Sequence, residues 1–122
     1  MTAFLVVFLG AGFGGMLRQA VNVLAMRLPT ELPWHTFAVN VVGSLVLGLL
    51  VGWLTFKGEV SQFWRLFLIT GVLGGFTTFS AFSFDAVLLW ERGQQAASLA
   101  YVVVTVALSI AGLLAGLWLG RA

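Results

Sequence analysis

Apolar residues run along this chain in four long blocks, broken only briefly by charge, proline or paired glycine. A membrane-spanning helix needs roughly 20 mostly apolar residues, and the blocks over 2–25, 34–56, 63–90 and 95–119 all reach that length. The first stops before Arg27, Pro29 and Pro33, and Lys57, Gly58 and Glu59 close the second. Glu91, Arg92 and Gly93 form a tight turn between the third and the fourth. No polar linker is long enough to separate domains. The pattern predicts an all-α membrane protein, residues 1–122 forming a single four-helix transmembrane domain.

The third block departs from an ordinary span. Residues 71–82 read GVLGGFTTFSAF, with Phe76, Phe79 and Phe82 at three-residue spacing. Gly74–Gly75 loosens the backbone, and the β-branched pair Thr77–Thr78 crowds a helical turn. The third helix is therefore expected to break in mid-membrane, as two half-helices with a non-helical middle. Backbone freed at that depth must face protein, water or an ion, because lipid offers it no partner. Close helix packing with core aromatics is the other use of such a stretch.

Each span also carries small or polar residues at four-residue spacing, hence on one face. In the first they are Gly10, Gly14, Arg18 and Asn22. The glycines admit a close neighbour, and Arg18 is either a functional intramembrane charge or one that snorkels to headgroups. In the second, Thr36, Asn40 and Ser44 align; the Asn40 amide brings two donors and an acceptor, for a pore or for interhelical bonding. Gly48 and Gly52, with Gly112, Gly116 and Gly120 in the fourth span, read as packing positions. The fourth span also aligns Ser98, Tyr101, Thr105 and Ser109, a hydroxyl track that suits a hydrated or ion-lined path.

Composition excludes more than it assigns. The 122 residues are 61% hydrophobic and 8% charged, with mean hydropathy +1.08, far from a soluble domain. Six Lys/Arg against four Asp/Glu do not cluster, so nucleic acid is not a partner. There is no Cys, and His35, the single histidine, stands at a helix start beside Pro33. No paired carboxylates, metal-spaced cluster or nucleophile–base pair is present, so enzyme catalysis has no candidate residues. With an even number of spans, Lys57, Arg65 and Arg121 fall on one side of the membrane and Arg27 and Arg92 on the other, joined by Arg18 if it snorkels. Positive-inside bias then fixes no orientation. Near balance suits a chain that inserts both ways, and four helices are few to wall off a path. Together these predict a dual-topology antiparallel homodimer in membrane lipid.

The lining offers donors: the Asn40 amide, hydroxyls and Arg18. Phenyl rings present a positive edge, and no acidic ring serves cations. The equipment favours a small anion.

The runs GFGGMLR (12–18), TFAVNVVGS (36–44) and GVLGGFTTFSAF (71–82) resemble the Fluc-type (CrcB) fluoride channels, small four-span proteins assembled as dual-topology dimers. The match covers the whole chain. The resemblance implies passive fluoride export across a bacterial plasma (inner) membrane, protecting against fluoride toxicity. It makes Asn40 the pore asparagine and Phe79 and Phe82 the rings whose edges line the fluoride path. Tyr101, Thr105 and Ser109 become the polar track, and Ser80 joins the pore donors. Arg18 matches an arginine near the pore entrance. Gly74 and Thr77 would give backbone carbonyls to a central structural sodium ion. This chain departs from the family pattern at Ala81 for Thr, Gln19 for an aromatic, Thr105 for Ser and Asp85 for Glu. The competing class, a four-span proton-coupled drug transporter, needs a carboxylate in the first helix, and that helix has none. A structural or assembly subunit, the third alternative, would carry no ion flux at all.

Overall fold

A computed structural model describes residues 1–58 and 60–122; Glu59, placed above at the close of the second block, lies outside them. Among the described residues four helical spans are long and apolar enough to cross a membrane: Thr2–Ala25, Trp34–Lys57, Gln62–Glu91 and Gln95–Arg121. These match the expected blocks to within about two residues at each end, the usual fraying of helix limits. The first span is α1 (Thr2–Ala25) and the second α2 (Trp34–Lys57). The third comprises α3 (Gln62–Arg65), a π-helical segment (Leu66–Leu73), α4 (Gly74–Phe76) and α5 (Phe79–Glu91). The fourth is α6 (Gln95–Arg121).

Local chemistry sets the ends. Pro33, which has no N–H to give, stands at the N-cap of α2, and Gly58 ends that helix at φ 81°. α5 closes in a Schellman arrangement around Gly93 (φ 83°). The Gly93 N–H donates to the Trp90 carbonyl at 3.1 Å and the Gln94 N–H to the Leu89 carbonyl at 3.0 Å. Left-handed backbone of this kind favours glycine.

The break falls within the expected stretch, at its threonine pair and not at its glycines. Gly74, Gly75 and Phe76 remain helical, and only Thr77 (φ −84°, ψ 156°) and Thr78 (φ −153°, ψ 124°) are extended. Gly75 is held by packing, since a Cβ there would meet the backbone of Ala11. The β-branched pair takes the extended conformation that suits it. The π-helical turn upstream is a feature that the hydrophobic pattern does not encode.

Two glycine seams organise the bundle. Along one, Gly10 of α1 faces Gly71, Gly14 packs on Val72 and Phe76, and Gly75 packs on Ala11; along the other, Gly48 and Gly52 of α2 face Gly116 and Gly120 of α6. A Cβ at Gly10 would sit 2.6 Å from the Phe67 carbonyl oxygen, so only glycine lets these backbones touch. Gly112 stands apart, with ordinary van der Waals space around it. α5 lies on α6 through a small core of Phe82, Leu89 and Tyr101, flanked by Phe37, Ala86 and Val102. The seams bring α2, the break and the hydroxyl face of α6 together.

Candidate functional site

Interrupting a helix strands backbone groups that must find partners. At this break three side chains supply them. Asn40 pairs with both backbone groups of Thr78: its Nδ2 donates to the Thr78 carbonyl at 2.9 Å, and its Oδ1 accepts from the Thr78 N–H at 2.8 Å. Thr78 caps α5, its Oγ1 accepting from the Ala81 N–H at 3.2 Å, as an N-cap threonine does. Arg18, from α1, donates through Nε to the Gly75 carbonyl at 3.2 Å. Arg18 therefore reaches toward the break and is not snorkelling. In an unbroken helix the Thr78 and Ala81 N–H groups would bond the carbonyls of Gly74 and Thr77. Both donors are engaged elsewhere, which frees those two carbonyls.

Beside the break opens a cavity of about 470 Å³, lined by Asn40, Ser44, Gly74, Thr77, Thr78, Phe79, Phe82, Thr105, Val106, Ser109 and Ile110. Thr105 and Ser109, one turn apart on α6, have buried hydroxyls with no hydrogen-bond partner among the described residues. Thr105 is only 3% exposed. The two phenylalanines differ: Phe82 is 7% exposed within the core, whereas Phe79 is 77% exposed. Their ring centroids lie 5.6 Å apart at 51°, and Phe82 continues to Tyr101 at 5.2 Å. Of the residues expected in a path, the structure thus brings Asn40, Phe79, Phe82, Thr105 and Ser109 to one cavity, with Gly74 and Thr77. Ser80 does not line it; that residue is exposed, its hydroxyl 3.3 Å from Thr78 Oγ1.

Tyr101 belongs to a second cluster further along the α6 track. Its hydroxyl donates to Asp85 Oδ2 at 3.4 Å, and Thr36 Oγ1 donates to the same oxygen at 2.6 Å. His35 Nε2 lies 3.9 Å from it. From sequence alone Asp85 could be buried or merely interfacial, and His35 reads as a residue at the edge of a loop. Thr78 likewise has no role assigned from sequence, although a threonine ahead of an apolar run is an N-cap signal. The His35–Asp85 approach joins α2 to α5 across 50 residues of sequence, and no local pattern foretells it.

A sequence profile of the family described as "CrcB-like protein, Camphor Resistance (CrcB)" matches residues 5–117. The chain belongs to the CrcB family. It is 58% identical over 120 residues to the fluoride-specific ion channel FluC of Rhodopseudomonas palustris (strain BisB5), covering 98% of this chain and 97% of that one. It is 50% identical over 119 residues to fluoride-specific ion channel FluC 2 of Nitrobacter hamburgensis, covering 97% and 96%. To FluC of Methylobacterium nodulans it is 56% identical over 113 residues, covering 93% and 91%. The resemblance drawn from three motifs is borne out by these matches. These relatives are named as ion channels, not enzymes. A channel family and four apolar spans make this CrcB chain a multi-pass protein of the bacterial inner membrane.

Proposed function

We propose that this chain forms a passive, fluoride-selective channel that exports fluoride and prevents its toxicity, working as a dual-topology antiparallel homodimer in membrane lipid. The observation that carries the reading is the pair of buried, unpartnered hydroxyls of Thr105 and Ser109 in a cavity beside a helix break. It occurs in a chain more than half identical to a protein named as a fluoride-specific channel. Fluoride is small and strongly hydrated, so its path must replace lost water with close donors. An unmet buried hydroxyl costs free energy, and an anion would satisfy both. Asn40 keeps one amide N–H beyond its bond to Thr78, Tyr101 lies one turn along α6 from Thr105, and Arg18 sets a positive charge at the break. The rings of Phe79 and Phe82 offer positive edges to an anion passing beside them.

A structural sodium ion fits the chemistry of the Gly74 and Thr77 carbonyls, whose helical donors are turned to Asn40 and to Thr78 Oγ1. Carbonyls freed at a discontinuous helix are ordinary ligands for such an ion. When bound, it would supply a fixed positive charge at the centre of the dimer. The high exposure of Phe79 supports an assembly in which a second copy completes the path.

Proteoliposomes loaded with fluoride test the reading. Once a potassium ionophore relieves the voltage, wild type should discharge fluoride while an equal chloride gradient persists. Phe79→Ile keeps apolar bulk and removes the ring quadrupole, so fluoride flux should fall at least about tenfold with the oligomer intact. Equal chloride flux, or a Phe79→Ile channel as fast as wild type, would overturn the mechanism.

A further inference from the structure

The polar track on α6 does not end at Thr105. One turn further, Tyr101 meets Asp85, and Asp85 meets His35, the chain's single histidine. An ionised Asp85 opposes anion passage twice. It sets a negative charge beside the path, and its Oδ2 holds the hydroxyl donors of both Thr36 and Tyr101. The side chain of Asp85 is 14% exposed and that of His35 is 36% exposed, so protons from water reach the imidazole more readily than the carboxylate.

We infer that His35 is the proton-dependent counter-ion of Asp85, and that its protonation opens the outer end of the polar track to fluoride. This rests on the channel reading above. When His35 carries its proton, the imidazolium 3.9 Å from Asp85 offsets the carboxylate charge. The Tyr101 hydroxyl is then less strongly held and is free to turn to the anion in line with Thr105. When His35 is neutral, Asp85 keeps its charge and both donors. The sign follows: throughput rises as pH falls through the range in which histidine gains charge. The other charged groups facing this cluster are Glu31, from the α1–α2 connection, and Arg92, beyond the end of α5; both line a small pocket with Asp85. Glu31 also borders the pocket on the far side of His35. Among these groups His35 is the one that gains a positive charge when a neutral ring takes up a proton.

The test is fluoride efflux from proteoliposomes at equal pH on both sides, from about pH 8 to about pH 5.5, with leak through protein-free vesicles subtracted. Wild-type flux should rise roughly fivefold across that range, the factor carried by one unit-charge interaction at about 4 Å in water-like surroundings. His35→Gln, at a partly exposed position, should fold normally and stay at the wild-type pH 8 rate throughout. Asp85→Asn should lose the pH dependence as well, because the charge being offset is gone. A fluoride-selective wild type with a flat profile would overturn the inference while leaving the channel intact. So would either variant keeping the wild-type profile. Absence of fluoride flux from wild type at every pH would overturn the channel reading itself and this inference with it.

Discussion

Thr105 and Ser109 stand out against the other hydroxyls of the chain. Thr55 and Thr77 donate back to carbonyls four residues earlier, at 2.8 and 2.9 Å. Ser98 bonds the Ala86 carbonyl at 2.7 Å, and Thr36 bonds Asp85. Back-bonding is open to any helical Ser or Thr, yet Thr105 and Ser109 do not use it and face the cavity instead. Stability and transport should therefore respond in opposite directions at Thr105. Thr105→Val keeps the shape and removes a buried hydroxyl that has no partner, a change expected to be neutral or stabilising by up to about 1 kcal/mol. Fluoride flux should fall at least about tenfold, since one lost charge-assisted hydrogen bond is worth on the order of 1.5–3 kcal/mol. Thermal unfolding in detergent and efflux from liposomes measure the two. A variant that loses stability and keeps its flux would show that the hydroxyl is structural. The four-residue spacing of this track is readable in the sequence. That its hydroxyls lack partners is not, because satisfaction depends on which way each one turns.

At the scale of the element, the spans and their ends are written locally. Apolar length, proline, and glycine at positive φ set them, so α1, α2 and α6 are legible almost to the residue. The third span is only half legible. Gly74–Gly75 and Thr77–Thr78 both read as weak points by propensity; Gly75 is held against Ala11, and the break falls at Thr77–Thr78, where Asn40 takes up the freed backbone groups. Glycines in one helix can thus have opposite roles, and α1 offers the comparison. A Cβ on Gly14 would fall on the Val72 carbonyl, whereas a Cβ on Gly12 would meet nothing within 4 Å. Gly14→Ala should force two backbones apart and destabilise by about 1–3 kcal/mol, the usual cost of overpacking. Gly12→Ala should stabilise by up to about 1 kcal/mol, because it removes helical glycine without a clash. Midpoints of thermal unfolding in the same detergent report both, and equal shifts would mean that the α1 seam does not hold the broken span.

For the whole molecule, the arrangement leaves much of the site uncovered. Phe79 points outward, Gly74 is exposed beside the cavity, and the apolar flanks of all four spans face lipid or a second copy. A conducting path for a strongly hydrated anion has to be shielded from lipid on every side, which a lone chain with this outward face does not achieve. The charge pattern suggests how a second copy joins. Lys57, Arg65 and Arg121 on one side are nearly matched by Arg27 and Arg92 on the other. Arg18, donating to the Gly75 carbonyl, is removed from the headgroup count. On the proposed reading, that small bias lets each new chain insert either way, and two opposed copies would meet around the freed Gly74 and Thr77 carbonyls. A reporter fused to the C-terminus should therefore signal from both sides of the membrane in comparable amounts. Adding two or three lysines to the Lys57 loop should drive nearly all copies to one orientation and abolish fluoride flux. Co-expression with a chain biased the opposite way, by lysines near Arg92, should restore it. A one-sided reporter in the unaltered protein, or full flux from the chain biased to one side, would refute antiparallel assembly.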